Sequence, residues 1–155
     1  TGYNLRPTEV AAAVGVVQLG KVDGFIAARR RTHAALCVRL MRHGWALQFQ
    51  KANCDAPGPS WLGFALLVNA NAPFTRSDLA AALREAGIET RPIIAGNMAE
   101  QPGLLHSRHR LAGPFPHAEA VARRGLALPC HQGVTNEDID YIGSVVDKFI
   151  ARWRS

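Results

Sequence analysis

A chain of 155 residues is long enough to bury roughly two-thirds of its unfolded surface around a single core, so one compact unit is the first expectation. With 48% hydrophobic and 19% charged residues the composition excludes disordered and collagen-like classes, and no run approaches the ~20 apolar residues of a membrane helix, so no membrane partner is expected. Eighteen Lys plus Arg against twelve Asp plus Glu leave a net charge of +6, carried almost wholly by arginine because Lys21, Lys51 and Lys148 are the only lysines. Arginine presents a planar fork of donors suited to phosphate and carboxylate, so an anionic ligand fits the charge, as does a solvated basic surface.

Pro7 suits a first helical turn, and Val10, Val14 and Val17 recur at helical spacing, predicting a helix over 7–19. After Gly20 a longer helix is predicted over 22–42, with Val22, Phe25, Ile26, His33, Leu36, Cys37 and Leu40 on one face, ending at Gly44. The Arg29–Arg31 run reads as its solvated side. Residues 45–49 alternate as a short strand, 53–60 is a Pro- and Gly-containing loop, and Trp61–Val68 has the length of a buried strand. Thr75 and Asp78 form a capping box for a helix carrying Leu79, Ala82, Leu83 and Ala86 up to Gly87. Ile88–Ile94 reads as a strand interrupted by Pro92, at a sheet edge or bulge.

From Ala95 to Pro116 no period survives, and a loop of that length inside a compact domain tends to be functional or mobile. His117–Arg124 reads as a short helix and Leu126–Leu128 as a short strand. A last helix begins at Thr135, with Asp138 in its first turn and a buried stripe of Ile139, Ile142, Val146, Phe149 and Ile150. Two leading helices followed by a small, mainly antiparallel sheet packed with helices define an α+β fold.

Few residues suggest chemistry on their own. His106, His109, Cys130 and His131 lack the spacing of a zinc site. Cys130 and His131, being adjacent on extended chain, point to opposite faces and do not make a nucleophile–base pair. Gly15, Gly20 and Lys21 imitate a phosphate-binding loop, but Val22 replaces its hydroxyl residue and the stretch is helical. No nucleic-acid partner is expected, because the basic clusters lack interleaved exposed aromatics. The three widely spaced cysteines fit a reducing, cytoplasmic setting. Thr1 in place of Met, with no signal-peptide pattern behind it, suggests a piece of a longer protein.

Two segments stand out. Gly2-Tyr3-Asn4-Leu5-Arg6-Pro7-Thr8-Glu9 sets an amide, an arginine and a phenol before a helix N-terminus, a place that favours anions or is a plain entry loop and cap. In Gly87-Ile88-Glu89-Thr90-Arg91-Pro92-Ile93-Ile94-Ala95-Gly96-Asn97, continuing to Gln101-Pro102, polar residues break an apolar stretch. Arg91 is there either a carboxylate or phosphate clamp or one half of an ion pair with Glu89.

The segment GYNLRPTEVAAAVGVVQLGKVDGFIAARR closely resembles the opening of the C-terminal part of the DegT/DnrJ/EryC1/StrS family, the pyridoxal-phosphate sugar aminotransferases of aspartate-aminotransferase fold. GIETRPIIAGNMAEQP is similar to the branch containing 3-dehydratases of nucleotide-linked 4-keto-6-deoxy sugars, and LPCHQGVTNEDIDYI extends the likeness almost to the end. The resemblance implies residues 1–43 as connecting helices from a larger cofactor domain and 44–155 as the small C-terminal domain. It implies pyridoxal 5'-phosphate as cofactor, with no catalytic residue in this chain because the cofactor's lysine or histidine belongs upstream. Asn4 would reach the cofactor phosphate of a second subunit in a homodimer, and Arg6 would assist with a substrate phosphate. Arg91, Asn97 and Gln101 would line the substrate side. The implied substrates are a nucleotide-linked keto sugar and L-glutamate, in deoxy- or amino-sugar biosynthesis of the lipopolysaccharide kind, by transamination or by C3 deoxygenation. A reading from another class, a non-catalytic α+β module binding anions through arginine, stays open on the residues alone.

Overall fold

The structure, a computed structural model, describes residues 7–50 and 58–153. Asn4 and Arg6, together with the Gly2–Arg6 part of the first segment, lie outside the described residues. The elements are α1 (Glu9–Leu19), α2 (Val22–Leu40), β1 (Leu47–Phe49), β2 (Phe64–Val68), α3 (Arg76–Glu85), α4 (Pro102–Leu105), α5 (Pro116–Arg124), β3 (Gly125–Leu128) and α6 (Asn136–Ala151). The three strands form one antiparallel sheet in the order β1-β2-β3, with Leu47 opposite Val68 and Leu66 opposite Leu126. This is the α+β class read from the sequence.

Central β2 shows the period of two that a strand imposes: Phe64, Leu66 and Val68 are buried, while Ala65 and Leu67 are only half covered. Onto the buried face come Leu36 and Leu40 of α2, Leu79 and Leu83 of α3, and Ile139, Ile142, Val146, Phe149 and Ile150 of α6. Phe74 meets Phe149 edge-on at 4.9 Å. Each fully buried Leu or Phe contributes ~1.5–3 kcal/mol, so this single cluster holds the sheet and three helices together. The caps are as expected: Thr75 with Asp78, and Thr135 with Asp138, form reciprocal capping boxes, and Gly87 turns the chain at φ 75°.

Several elements differ from expectation. Pro7 precedes the cap instead of opening the first turn, because Thr8 takes that role by accepting from the Ala11 N–H. The long helix stops at Leu40, and Met41–His43 tightens into a 3-10 turn before Gly44. Helix α1 buries nothing: Val10, Val14, Val16, Val17 and Leu19 are all more than half exposed. It meets α2 at a 57° bend, and no single helix among the described residues is long and apolar enough to cross a membrane.

Arg29 is not on a solvated face. Its Nη1 donates to the carbonyls of Trp61, Cys130 and, at 3.3 Å, Leu62, clipping α2 to the neighbouring segments that enter β2 and leave β3. One turn further, His33 is buried and stacks on Trp61 with ring centroids 3.9 Å apart. At the far end of α2, Arg39, Arg42 and His43 converge on Asp147 of α6. Arg39 Nη2 donates to Oδ2 at 2.8 Å, Arg42 Nη2 shares that oxygen, and His43 Nε2 donates to Oδ1 at 2.7 Å. Gly143 makes room, since a β-carbon there would lie 2.3 Å from the Arg39 guanidinium carbon.

Candidate functional site

Ile88–Ile94 does not become a strand. A single bridge ties Arg91 to Ala127 of β3, the Arg91 N–H donating at 3.0 Å and the Ala127 N–H returning at 2.7 Å. Pro92 has no N–H to continue the ladder. Ile94 then adopts φ 40°, the left-handed region that a β-branched residue enters only at a cost of ~1–3 kcal/mol. Its side chain stays 84% exposed, so burial does not offset that strain.

Gly96 follows at φ 60°, pressed so closely on α5 that a β-carbon would sit 2.9 Å from the Ala122 methyl. No other residue fits both the angle and the space. The turn delivers Asn97 into a buried position. There its Oδ1 accepts from the Ala99 N–H and its Nδ2 donates to Glu100, starting a 3-10 turn over Met98–Glu100. Gln101 Nε2 donates to the Ala95 carbonyl at 2.7 Å and closes the loop. The polar atoms of both predicted site residues thus hold the loop's own shape. The remainder of 95–116 is less irregular than expected, containing α4 before α5 begins at Pro116.

Arg91 has a different environment. Its Nε and Nη2 both donate to Oε1 of Glu89, at 2.8 and 2.7 Å, with both side chains mostly in water. An exposed pair of this kind contributes ~0–1 kcal/mol, so it orients the guanidinium without locking it. The ion-pair reading of Arg91 is therefore realised, and it leaves Nη1 open. Arg91 also borders a cleft of about 330 Å3 between α3 and residues 90–92, lined by Arg76, Ser77, Ala80, Arg84, Thr90, Pro92 and Leu126. Neither Asn97 nor Gln101 lines it. Arg76 and Arg84 were not singled out from sequence, although Arg76, Ala80 and Arg84 at i, i+4 and i+8 share one helix face, the available signal. A second cleft, about 460 Å3, lies between Arg31 and Thr32 of α2 and the first turn of α6.

The remaining candidates resolve into structure. Cys130 is buried with its Sγ toward the Arg29 carbonyl, and His131 is exposed, with Nδ1 accepting from the Gly133 N–H. Burial pushes the Cys130 thiol up, against the opposing pull of Arg29, and likewise raises Cys37, so neither is an activated nucleophile. Of the described lysines, Lys21 precedes α2 and Lys148 occupies the last turn of α6, both exposed and neither lining a cleft. The described residues therefore do not fit the anchor of a pyridoxal cofactor, and no step through one is assigned to them.

The geometry defines a small α+β unit with a strained loop and an arginine-lined cleft at the edge of its sheet. Residues 1–147 match the DegT/DnrJ/EryC1/StrS aminotransferase family, and the chain belongs to it. It is 34% identical to dTDP-4-dehydro-2,6-dideoxy-D-glucose 3-dehydratase of Saccharopolyspora spinosa, over 97% of this chain and 32% of that protein. It is also 34% identical to GDP-4-keto-6-deoxy-D-mannose 3-dehydratase of Yersinia pseudotuberculosis, over 95% of this chain and 37% of the relative. The solved structure of the E coli GDP-4-keto-6-deoxy-D-mannose-3-dehydratase with bound hydrated PLP matches with TM-score 0.83 at 31% identity, over 93% of this chain and 36% of that one. The chain spans about a third of the length of the curated relatives it matches.

Proposed function

We propose that this chain is the C-terminal part of a pyridoxal-phosphate-dependent enzyme that modifies a nucleotide-linked keto-deoxy sugar. The observation that carries the reading is the 34% identity, over nearly the whole chain, to 3-dehydratases of dTDP- and GDP-linked sugars. It favours C3 deoxygenation over transamination, and L-glutamate is the amino donor in either case. The cofactor would supply an electron sink for a substrate carbanion, and its anchoring residue lies outside this chain.

In this reading residues 1–43 connect to a larger cofactor domain, and 44–155 form the small domain. The bare valines of α1 support it, since an apolar helix that buries nothing in its own unit is suited to an interface. Asn4 would contact the cofactor phosphate across a homodimer interface and Arg6 a substrate phosphate, both on the strength of the resemblance. Arg91 would meet the substrate directly. Asn97 and Gln101 would act by holding the 93–101 loop in place, which their hydrogen bonds support.

The test uses the whole polypeptide that carries this chain, purified with pyridoxal phosphate and supplied with GDP- and dTDP-linked 4-keto-6-deoxy sugars and glutamate. A C3-deoxygenated sugar with release of 2-oxoglutarate is expected. An amino sugar would move the assignment to transamination, and no change in any such sugar would overturn it. The 155-residue chain alone is expected to show no cofactor absorbance and no turnover, and stoichiometric tightly bound cofactor would refute the division of labour.

A further inference from the structure

We propose that the cleft between α3 and residues 90–92 is a binding site for a doubly charged oxyanion, the phosphate or diphosphate group of a metabolite, held by Arg76, Arg84 and Arg91 with the hydroxyls of Ser77 and Thr90. Three arginines line the cleft, and among the described residues no Asp or Glu does. Among the described residues the one acid that touches them is Glu89, which uses a single oxygen on Arg91. The cleft therefore keeps a net positive charge that a dianion neutralises. A pocket lined by one sign of charge concentrates its field on the opposite sign.

The three arginines are held to different degrees. Arg76 is half-buried and anchored at 2.9 Å by its Nη1 on the Ala122 carbonyl, leaving its other donors free to face a ligand. Arg91 is held at its backbone by the bridge to Ala127, and its exposed side chain is oriented by Glu89. Arg84 has no ion pair or hydrogen bond among the described residues, one helical turn beyond Ala80, whose small side chain leaves the cleft open. Forked N–H donors match phosphate oxygens two at a time, which a lysine cluster would not do. The terminus of α3 does not carry the site, since Thr75 Oγ1 already takes the Asp78 N–H.

Size and chemistry select the ligand class. About 330 Å3 lies at the small end of the ~300–1,000 Å3 typical of ligand sites. That holds a phosphate or diphosphate group, while the sugar or nucleoside attached to it would extend outward. Apart from Leu126, Ala80 and Pro92 the lining is polar, with no aromatic surface for a base to stack on. The inference stands on the cleft alone and does not require the proposed sugar chemistry.

The test is a titration of the 15N-labelled chain with inorganic pyrophosphate and, separately, GDP-mannose, at ionic strength held constant with sodium chloride. Saturable shifts of the Ser77 and Thr90 amides and of the arginine Nε–H signals are expected. Arg84→Gln should weaken binding about tenfold or more, the scale of losing hydrogen bonds to a charged group. Arg76→Gln should act in the same direction, while Arg123→Gln, on an exposed residue of α5 outside the cleft, should leave it unchanged. Response to both probes supports the site with a nucleotide-linked diphosphate as its source, and response to pyrophosphate alone supports it with a free or terminal phosphate. No saturable shift with either probe, or equal weakening by Arg84→Gln and Arg123→Gln, overturns the proposal. If the chain binds pyrophosphate but the whole enzyme transforms no sugar, the functional assignment fails and this one stands.

Discussion

Replacing Asp147 by asparagine removes the charge that Arg39, Arg42 and His43 share while keeping the side chain's shape. Burial alone would raise the Asp147 carboxyl, but hydrogen bonds from Arg39 and His43 and the charges of Arg39 and Arg42 outweigh it and bring it down from 3.8 to about 2. By proton linkage a difference of that size corresponds to about 2.5 kcal/mol of stability. Asp147 keeps 30% of its side-chain area in water, so screening reduces this to ~1–2 kcal/mol. The folded value lies below the unfolded one, so the contribution is complete above about pH 5 and is lost as pH falls through 3.8 toward 2. Thermal unfolding of both proteins, followed by circular dichroism, should show the variant less stable by that amount near neutral pH, a Tm lower by about 3–6 °C. The gap should shrink at about pH 4 and nearly close at about pH 2. Equal stability at neutral pH, or a gap undiminished in acid, would refute the account of this cluster as the charged clasp between α2 and α6.

Gly96→Ala places a methyl against Ala122 at a left-handed backbone angle, and a loss of ~2 kcal/mol or more is expected, visible as faster amide exchange over residues 93–101. Unchanged exchange there would show that the loop is not seated on α5. Arg29→Gln should cost ~1.5–3 kcal/mol, because a charged donor shared by three carbonyls at a chain crossing is lost; thermal denaturation indistinguishable from the parent would count against the clip. His33 is buried, and burial lowers its pKa from the ordinary 6.5, so the neutral form is favoured in the folded state. Its share of stability is full above 6.5 and declines as pH falls through that value toward the lower folded one. His33→Phe keeps the stack on Trp61 and should lose less stability than the parent between about pH 7 and pH 5; parallel curves would show that His33 does not titrate on unfolding.

Features set by near neighbours in the chain were legible from the residues alone. Thr75 with Asp78, Thr135 with Asp138, and Gly87 mark helix ends through contacts three residues long or a single backbone angle. The stripe of α6 and the alternation of β2 follow from the periods of 3.6 and 2, which are properties of the backbone. The family was legible too, since GYNLRPTEVAAAVGVVQLG and GIETRPIIAGNMAEQP carry it as contiguous runs and the match extends over residues 1–147.

What the tertiary structure alone decided depends on residues far apart in sequence. Ile88–Ile94 has strand composition, but its one bridge at Ala127, the missing Pro92 donor and the turn at Ile94 make it the wall of a cleft. Arg29 looked like surface until its three carbonyl partners, 32 to 101 residues away, were in place. Asn97 is buried because Gly96 seats its loop against Ala122 of α5. Arg76, Arg84 and Arg91 became neighbours only when α3 and the chain leaving it folded against β3. Local pattern reports the period and the caps of an element, whereas a site is a convergence of side chains whose positions no single period encodes.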